Sequence, residues 1–321
     1  MRQALNAALA GALAADPDVV LLGEDLADPA GGISQITKGL STTFGTDRVR
    51  DTPISEAAIV GAAVGAAVAG LRPVAELMIM DFISIALDQL VNHAAKARFM
   101  SGGLLRVPLT LRTAVFGGIG SGATHSQTFE AWLAHIPGLK VVMPATPADA
   151  KGLLTSCIFD DDPCVFIENV ALYGIRGPVP EGDHRVPLGE AIVARPGRDV
   201  TLVTYGRTVR DALAAAEQLA TEGVEVEVVD LRSLVPLDAE SVLASATRTR
   251  RVVVAHHATR FAGFGAEVAA MVGEELFGTL EAPVRRVGAS FAPIGSAAAL
   301  EAAVMPSVAS LVEAVRSVTA T

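Results

Sequence analysis

A single glutamate, Glu56, stands at the start of the longest apolar stretch of the sequence, and its position suggests acid-base chemistry. The letters TPIS precede it, and alanine, valine, isoleucine and glycine alone follow it as far as Gly70. Because serine commonly caps helices, we predict that Ser55 caps a helix that carries Glu56 in its first turn. Apolar surroundings disfavour a charged carboxyl group, so Glu56 is suited to sharing a proton with a buried partner. Attraction to the helix dipole alone is the simpler explanation.

The second candidate for acid-base chemistry, His125, follows a glycine-rich segment. Residues 117–122 read GGIGSG, and THSQ follows at 124–127. The segment lacks both the GxGxxG pattern and the lysine of a phosphate-binding loop, so we interpret it as a mobile active-site loop. Imidazole is the side chain that exchanges protons near neutral pH, although a lone loop histidine is more often a surface residue.

Two acidic clusters are candidate cation or ligand sites. Glu24, Asp25 and Asp28 follow a predicted buried strand, where open α/β sheets bind ligands, but a solvated loop is the alternative. Residues 160–162 are three consecutive aspartates before a proline. Adjacent side chains rarely converge on one ion, so a solvated turn is the simpler interpretation.

Predicted strands and helices alternate along the whole chain, which positions these candidates. Strands are predicted at 19–23, 49–54, 73–80, 107–112, 139–143, 164–168, 200–205, 224–229, 252–255 and 284–287. Helices are predicted at 81–100, 129–135, 147–159, 209–222, 239–246, 266–276 and 308–318. The alternation predicts an α/β protein with two three-layer domains, each a parallel sheet with helices on both faces. Glycine and proline at 174–187 suggest a linker, giving domains at 1–175 and 199–321 with a linker at 176–198.

Composition restricts the class of protein. The 321 residues allow two domains, and 51% hydrophobic residues indicate a large core. A net charge of −10 argues against nucleic-acid binding. The longest apolar run is shorter than the roughly 20 residues that span a bilayer, and the N-terminus lacks a signal-peptide pattern, so no membrane association is expected. Two cysteines, Cys157 and Cys164, suggest a reducing compartment and thus a cytoplasmic location.

Four segments resemble a known family. They read TPISEAAIVGAAVGAAVAGLRPVAELMIMDF, MSGGLLRVPLTLR, THSQTFEAWLAHIPGLKVVMPATPADAKGLL and SCIFDDDPCVFIEN. The chain is similar over nearly its whole length to the beta subunit of the thiamine-diphosphate-dependent first component of 2-oxo acid dehydrogenase complexes, which include the pyruvate, branched-chain and acetoin enzymes. The resemblance implies a pyrimidine-binding domain followed by a transketolase C-terminal-like domain.

The resemblance implies roles for three residues. Glu56 matches the family's glutamate that hydrogen-bonds N1′ of the cofactor's aminopyrimidine, so it would be both catalytic and cofactor-binding. Phe82 matches an aromatic residue that lies against the pyrimidine ring. His125 matches the beta-chain histidine, a proton donor or acceptor when the acyl group passes to a lipoyl arm.

The same resemblance implies a potassium site. Leu109, Cys157, Ile158, Asp160 and Asp162 match positions that hold K⁺ in relatives, largely through backbone carbonyl oxygens. A cage of this kind suits the aspartate turn better than a divalent metal site does. Its role would be structural.

A missing motif implies a partner. The family's diphosphate and magnesium signature, Gly-Asp-Gly followed by paired asparagines, is absent, and the nearest letters, GDH at 182–184, lie in the predicted linker. An alpha subunit is therefore expected to hold Mg²⁺ and the diphosphate, in an α2β2 heterotetramer that docks on a dihydrolipoyl acyltransferase core and decarboxylates a 2-oxo acid or cleaves acetoin.

The sequence departs from the family's pattern at two positions, and two alternative functions are considered. Relatives commonly have an acidic residue near the position of His257 and a second proline at that of Gly295, which puts docking in doubt more than catalysis. One alternative function is a transketolase-like half-enzyme acting on sugar phosphates. The other is a non-catalytic assembly module that keeps the fold alone.

Overall fold

Two compact units make up the chain in the computed structural model, which describes residues 1–320. The first unit contains Met1–Val115 and Trp132–Leu188, and the second contains Phe116–Ala131 and the residues from Gly189 onwards. The segment 116–131 thus groups with the second unit, although it precedes the predicted boundary at 175. Hydrogen bonds to residues beyond 200 explain this grouping. The division into domains at 1–175 and 199–321 stays a prediction.

Six strands of the first unit lie side by side in the order β5-β6-β4-β3-β1-β2, and every neighbouring pair is parallel. They are β1 (Val19–Gly23), β2 (Val49–Asp51), β3 (Arg72–Leu77), β4 (Thr110–Val115), β5 (Lys140–Val142) and β6 (Cys164–Asn169). The central strands β4 and β6 are buried at every residue, as expected for a parallel sheet covered on both faces. Their carboxyl ends define one edge of the sheet, where the loops with the candidate residues begin.

Helices cover this sheet. They are α1 (Arg2–Ala15), α2 (Leu40–Phe44), α3 (Glu56–Val68), α4 (Ile83–Asp88), α5 (Ala95–Met100) and α7 (Pro147–Ile158), and α6 (Glu130–Ala134) follows the glycine-rich segment. The single helix predicted at 81–100 is wrong in detail. A 3₁₀ turn at Met80–Phe82 precedes α4, and a π-helical turn at Gln89–Ala94 separates α4 from α5. Turns of these kinds often occur at functional sites.

The second unit contains a five-stranded sheet in the order β12-β11-β8-β9-β7. Its strands are β7 (Ile192–Arg195), β8 (Val200–Thr204), β9 (Val226–Asp230), β11 (Val252–Thr259) and β12 (Arg285–Ala289), and a short strand β10 (Ser233–Val235) follows β9. Strand β7 pairs antiparallel with β9, so the prediction of a wholly parallel second sheet is wrong at this edge. The other pairs are parallel, and the α/β fold class is confirmed.

Five helices pack in the second unit: α8 (Thr208–Ala220), α9 (Ala239–Thr249), α10 (Gly265–Glu275), α11 (Ala298–Val304) and α12 (Val308–Thr319). The core between α8, α12 and the sheet is aliphatic and includes Leu202, Leu219, Val253, Leu311 and Val315, each fully shielded from solvent. Small alanines on α8 allow this close packing.

One stretch, Ala298–Thr319, is long and apolar enough to cross a membrane by length and composition. In the structure it is two helices, because the chain leaves the helical path at 305–307, where Pro306 cannot continue the hydrogen-bond ladder. Helix α12 is amphipathic and buries Leu311, Val315 and Val318. Helix α11 buries only Glu301, so we interpret the stretch as two surface helices of the second unit, of which α12 packs its apolar face on the core.

Candidate functional site

Glu56 is the first residue of α3, and its side chain is 8% exposed. Ser55 occupies the N-cap position, as predicted, but its side chain makes no capping hydrogen bond. Among residues 1–320, no hydrogen-bond donor contacts the Glu56 carboxylate. A nearly buried carboxylate is normally paired, so this one has capacity for a ligand from outside the chain.

A second carboxyl group, Glu24, lies near Glu56. Strand pairing sets Gly23 opposite Asp51, and the amide of Thr52 donates to the carbonyl of Gly23 at 3.0 Å. The pKa of Glu24 is raised, first by burial and then by the negative charge of Glu56. The buried Thr52 hydroxyl has no hydrogen-bond partner in the described part of the chain. The carboxyl ends of β1 and β2 therefore present polar groups that the chain itself leaves unsatisfied.

Phe82 lies in the 3₁₀ turn that follows β3, and its ring is half-buried. Strand β3 pairs with β1, with Gly23 opposite Glu76. Glu56 follows β2 and Phe82 follows β3, the two strands that flank β1, so both residues lie at the carboxyl edge of the sheet, where parallel sheets bind ligands.

Beside these loops lies a buried charge cluster that the sequence analysis did not identify. Nη1 of Arg112 contacts Oε2 of Glu76 at 2.5 Å, and Nε of Arg112 donates to Oε1 of Glu168 at 2.8 Å. The hydroxyl of Tyr173 donates to the other Glu168 oxygen at 2.6 Å. Burial raises the pKa of Glu168, and the Arg112 charge opposes that shift. The available sequence signal was a charged residue inside each of the strands TLRTAV and CVFIEN.

Asp28 has a structural role, unlike the ligand-binding role considered for its acidic cluster. Its carboxylate accepts hydrogen bonds from the amide of Gly39, the hydroxyl of Ser41, and both the amide and hydroxyl of Thr42. These bonds hold the pKa of Asp28 well below its ordinary value. The carboxylate thereby organises the start of α2.

His125 belongs to the second unit, whereas Glu56 and Phe82 belong to the first. The imidazole is half-buried, and its Nδ1 lies 3.0 Å from the Thr124 hydroxyl. The amide of His125 donates to the carbonyl of Gly122 at 3.3 Å. The histidine thus follows directly on the glycine-rich segment and precedes α6.

The backbone carbonyls at the expected potassium positions lie in one region of the first unit. The carbonyl of Leu109 accepts from the first amide of β6 at 2.8 Å, and that of Cys157 accepts from the amide of Asp160 at 3.2 Å. Nη1 of Arg72 donates to the carbonyl of Asp160 at 3.1 Å and reaches that of Ile158 at 3.5 Å. Two carbonyls therefore face one cationic group, and each carbonyl oxygen retains a second lone pair.

The aspartate side chains of this turn are partly exposed and form ion pairs with neighbouring basic side chains. Nζ of Lys140 lies 2.7 Å from both Asp160 oxygens and 3.5 Å from Asp162. Arg98 also contacts Asp162, and Arg106 contacts Asp161. Across residues 1–320, no group of three or more His, Cys, Asp or Glu side chains is arranged to hold a metal ion.

The second unit contains a buried constellation that the sequence analysis missed. Glu130, the first residue of α6, is fully buried, and the Tyr205 hydroxyl donates to its Oε1 at 2.7 Å. Burial raises the pKa of Glu130 to about 7. The ring of His256 stacks on Tyr205 at 5.9 Å, and burial lowers the pKa of His256 to about 4. In this unit as described, Oε2 of Glu130 and Nε2 of His256 have no hydrogen-bond partner.

The two departures noted in the sequence are both accommodated within the second unit. Nε2 of His257 lies 3.2 Å from a carboxylate oxygen of Asp211, and burial lowers the pKa of His257. A Cβ atom on Gly295 would lie 2.8 Å from Cβ of Leu300, so a larger residue here requires a local shift.

Two family models match the chain. The transketolase pyrimidine binding domain matches residues 1–175, and the transketolase C-terminal domain matches residues 189–311. In the solved structures, a split-gene transketolase described as an inactive beta4 tetramer matches with a TM-score of 0.81 at 25% identity, covering 99% of this chain and 98% of that one.

Curated relatives match over most of their lengths. The chain is 44% identical to the acetoin:2,6-dichlorophenolindophenol oxidoreductase subunit beta of Cupriavidus necator, covering 98% of this chain and 96% of the relative. It is 43% identical to the mitochondrial pyruvate dehydrogenase E1 component subunit beta-2 of Oryza sativa subsp. japonica, covering 98% and 85%. It is 45% identical to the 2-oxoisovalerate dehydrogenase subunit beta of Pseudomonas aeruginosa, covering 89% and 86%. These matches confirm the resemblance identified from the sequence.

Proposed function

The chain belongs to the family of beta subunits of thiamine-diphosphate-dependent 2-oxo acid dehydrogenases, and we propose that Glu56 and Phe82 hold the pyrimidine end of the cofactor. The observation that carries this proposal is the state of Glu56. Glu56 is the first residue of α3, and its nearly buried carboxylate accepts no hydrogen bond within residues 1–320. Such a group matches a ring nitrogen that donates or shares a proton.

The residues around Glu56 fit this role. The pKa of the neighbouring Glu24 is raised, first by burial and then by the negative charge of Glu56, so the two carboxyl groups lie close together. Phe82 supplies an aromatic surface in the turn that follows β3. Thiamine diphosphate, when bound, supplies the carbanion chemistry of decarboxylation. Glu56 orients the pyrimidine and holds or releases a proton at its carboxylate.

We assign His125 to the later step, the transfer of the acyl group to a lipoyl acceptor. The imidazole is half-buried on the loop of the second unit, and contact with the Thr124 hydroxyl orients Nδ1. A histidine held in this way is suited to donating or accepting a proton in the transfer step. This role separates His125 from Glu56, which serves the decarboxylation step.

An alpha subunit is the partner that membership of this family implies. We propose that the alpha subunit supplies the diphosphate and Mg²⁺ contacts, because the sequence lacks the family's signature for them. The assembly would be an α2β2 heterotetramer that docks on a dihydrolipoyl acyltransferase core. The buried free cysteines Cys157 and Cys164 support a cytoplasmic location for it.

We also propose a structural K⁺ at the carbonyls of Leu109, Cys157, Ile158, Asp160 and Asp162. The carbonyls of Leu109 and Cys157 accept backbone amides, and each oxygen keeps a second lone pair that a cation can use, which supports the proposal. A thermal melt in KCl, compared with NaCl at equal ionic strength, tests the site. A higher midpoint in KCl is expected, and equal midpoints would contradict the proposal.

The decisive experiment is activity of this chain coexpressed with a candidate alpha subunit. Pyruvate, branched 2-oxo acids, acetoin and a ketose phosphate are compared, with dichlorophenolindophenol as electron acceptor. We expect thiamine-dependent turnover of a 2-oxo acid or acetoin that requires both chains. Turnover of the ketose phosphate alone would instead indicate a transketolase-like half-enzyme, and turnover of none would favour an assembly module.

A further inference from the structure

The glycine-rich segment ahead of His125 is tied to one carboxylate of the second unit. The amide of Gly118 donates to Oε1 of Glu301 at 2.6 Å, and the amide of Gly120 donates to Oε2 at 3.0 Å. Glu301 lies on α11 and is 8% exposed. Both carboxylate oxygens thus accept hydrogen bonds from backbone amides of this one segment. The negative charge of the carboxylate and its burial strengthen these bonds.

A guanidinium holds the same segment from a second direction. Nη1 of Arg207 donates to the carbonyl of Gly117 at 3.2 Å. The φ angle of Gly118 is +93°, a backbone conformation that favours glycine, and a Cβ atom here would displace the movable end of the Arg207 side chain. Gly120 also has positive φ, +81°. The segment therefore has a specific shape, although its composition predicts flexibility.

Fixing such a segment has an entropic cost. Glycine loses more conformational freedom on ordering than any other residue, and residues 117–122 contain four glycines. The hydrogen bonds that the segment donates to Glu301 and accepts from Arg207 offset that cost. His125 follows this segment by three residues, and its amide donates to the carbonyl of Gly122 at 3.3 Å, so the histidine is connected directly to the segment.

We propose that Glu301 is a positioning residue for His125. Its carboxylate holds the amides of Gly118 and Gly120, and so keeps the imidazole where it can exchange a proton with the acyl-transfer reaction. This inference rests on the role assigned to His125 above. It predicts that removing the carboxylate weakens the step that uses His125 and leaves the step that uses Glu56 largely unchanged.

Hydrogen exchange of the two glycine amides tests the positioning directly. In the αβ complex we expect peptides that cover 116–124 to exchange at least about tenfold faster in Glu301→Ala than in the wild type, because a hydrogen bond to a charged group is lost at each amide. Glu301→Gln keeps one acceptor oxygen, so intermediate exchange is expected, and it replaces Glu301→Ala if that variant does not fold. Glu313→Ala, an exposed glutamate on the neighbouring α12, is the matched control and should exchange like the wild type. Unchanged exchange in both Glu301 variants would overturn the proposal.

A kinetic comparison separates positioning from general stability. In Glu301→Ala we expect reductive acylation of free lipoamide to fall about tenfold in kcat, while decarboxylation coupled to dichlorophenolindophenol changes less than about twofold. Equal losses in both assays would indicate a merely structural role and contradict the proposal. If the wild-type pair shows no thiamine-dependent activity, the function proposed above fails, and the exchange experiment still decides whether Glu301 holds the loop.

Discussion

Substitution of Glu130 by glutamine should change how the stability of the chain depends on pH. Glu130 is fully buried, and its pKa is raised from an ordinary value of 4.5 to about 7. The folded state therefore binds more protons than the unfolded state between these two values. Stability from this group is greatest at low pH and falls as the pH rises through the unfolded and then the folded pKa.

The size of the effect follows from the shift. A pKa difference of about 2.5 units, at about 1.4 kcal/mol per unit, gives a stability loss of roughly 2–3 kcal/mol between pH 5 and pH 8. Glutamine has no titrating proton, but its amide oxygen still accepts from the Tyr205 hydroxyl. We therefore subtract the unfolding free energy of Glu130→Gln from that of the wild type. This difference should fall by roughly 2–3 kcal/mol from pH 5 to pH 8.

Urea unfolding at pH 5, 6, 7 and 8 measures the difference. Other titrating groups, including His256 with its lowered pKa, contribute equally to both proteins and cancel. Tyr205→Phe is a useful control, because it leaves the carboxyl group in place and removes its hydrogen bond, which should steepen the dependence of stability on pH. Parallel pH profiles for the wild type and Glu130→Gln would refute the reasoning that Glu130 is buried with a raised pKa.

Two further substitutions test the first unit. Arg112→Met should lower the unfolding free energy by about 3–5 kcal/mol, because it leaves the carboxylates of Glu76 and Glu168 without their cation. Chemical denaturation measures this loss, and a loss below about 1 kcal/mol would contradict the ion pairs of Arg112. Asp28→Asn should lower the unfolding midpoint at pH 7 more than at pH 3. The lowered pKa of Asp28 stabilises the folded state at pH values above the pKa of the unfolded state, and this contribution is lost as the pH falls. Equal effects at both pH values would contradict the hydrogen bonds around Asp28.

The alternation of strands and helices was predictable because it depends on local sequence patterns. The helix α3 follows from the apolar run after Glu56, and the buried strands follow from their aliphatic character. The antiparallel edge strand β7 was missed, since its mostly exposed residues carry no burial pattern. Hydrophobic periodicity thus predicts whether a segment is a helix or a strand, but an exposed edge strand lacks this periodicity.

Contacts between residues far apart in sequence were not predictable. Gly118 and Glu301 are 183 positions apart, and Tyr205 and Glu130 are 75 apart. The grouping of residues 116–131 with the second unit depends on such contacts. The candidate roles of Glu56, Phe82 and His125 came from residue type and family resemblance, whereas their polar surroundings became visible only in the fold.

The most direct test of the account is Glu56→Gln in the reconstituted αβ pair. Calorimetry measures thiamine diphosphate binding, and a dichlorophenolindophenol assay measures decarboxylation. We predict that kcat falls at least about a hundredfold, as expected for loss of a positioned acid-base group, while cofactor binding weakens less than about tenfold. Normal turnover in Glu56→Gln with normal cofactor binding would contradict the central role of this carboxylate.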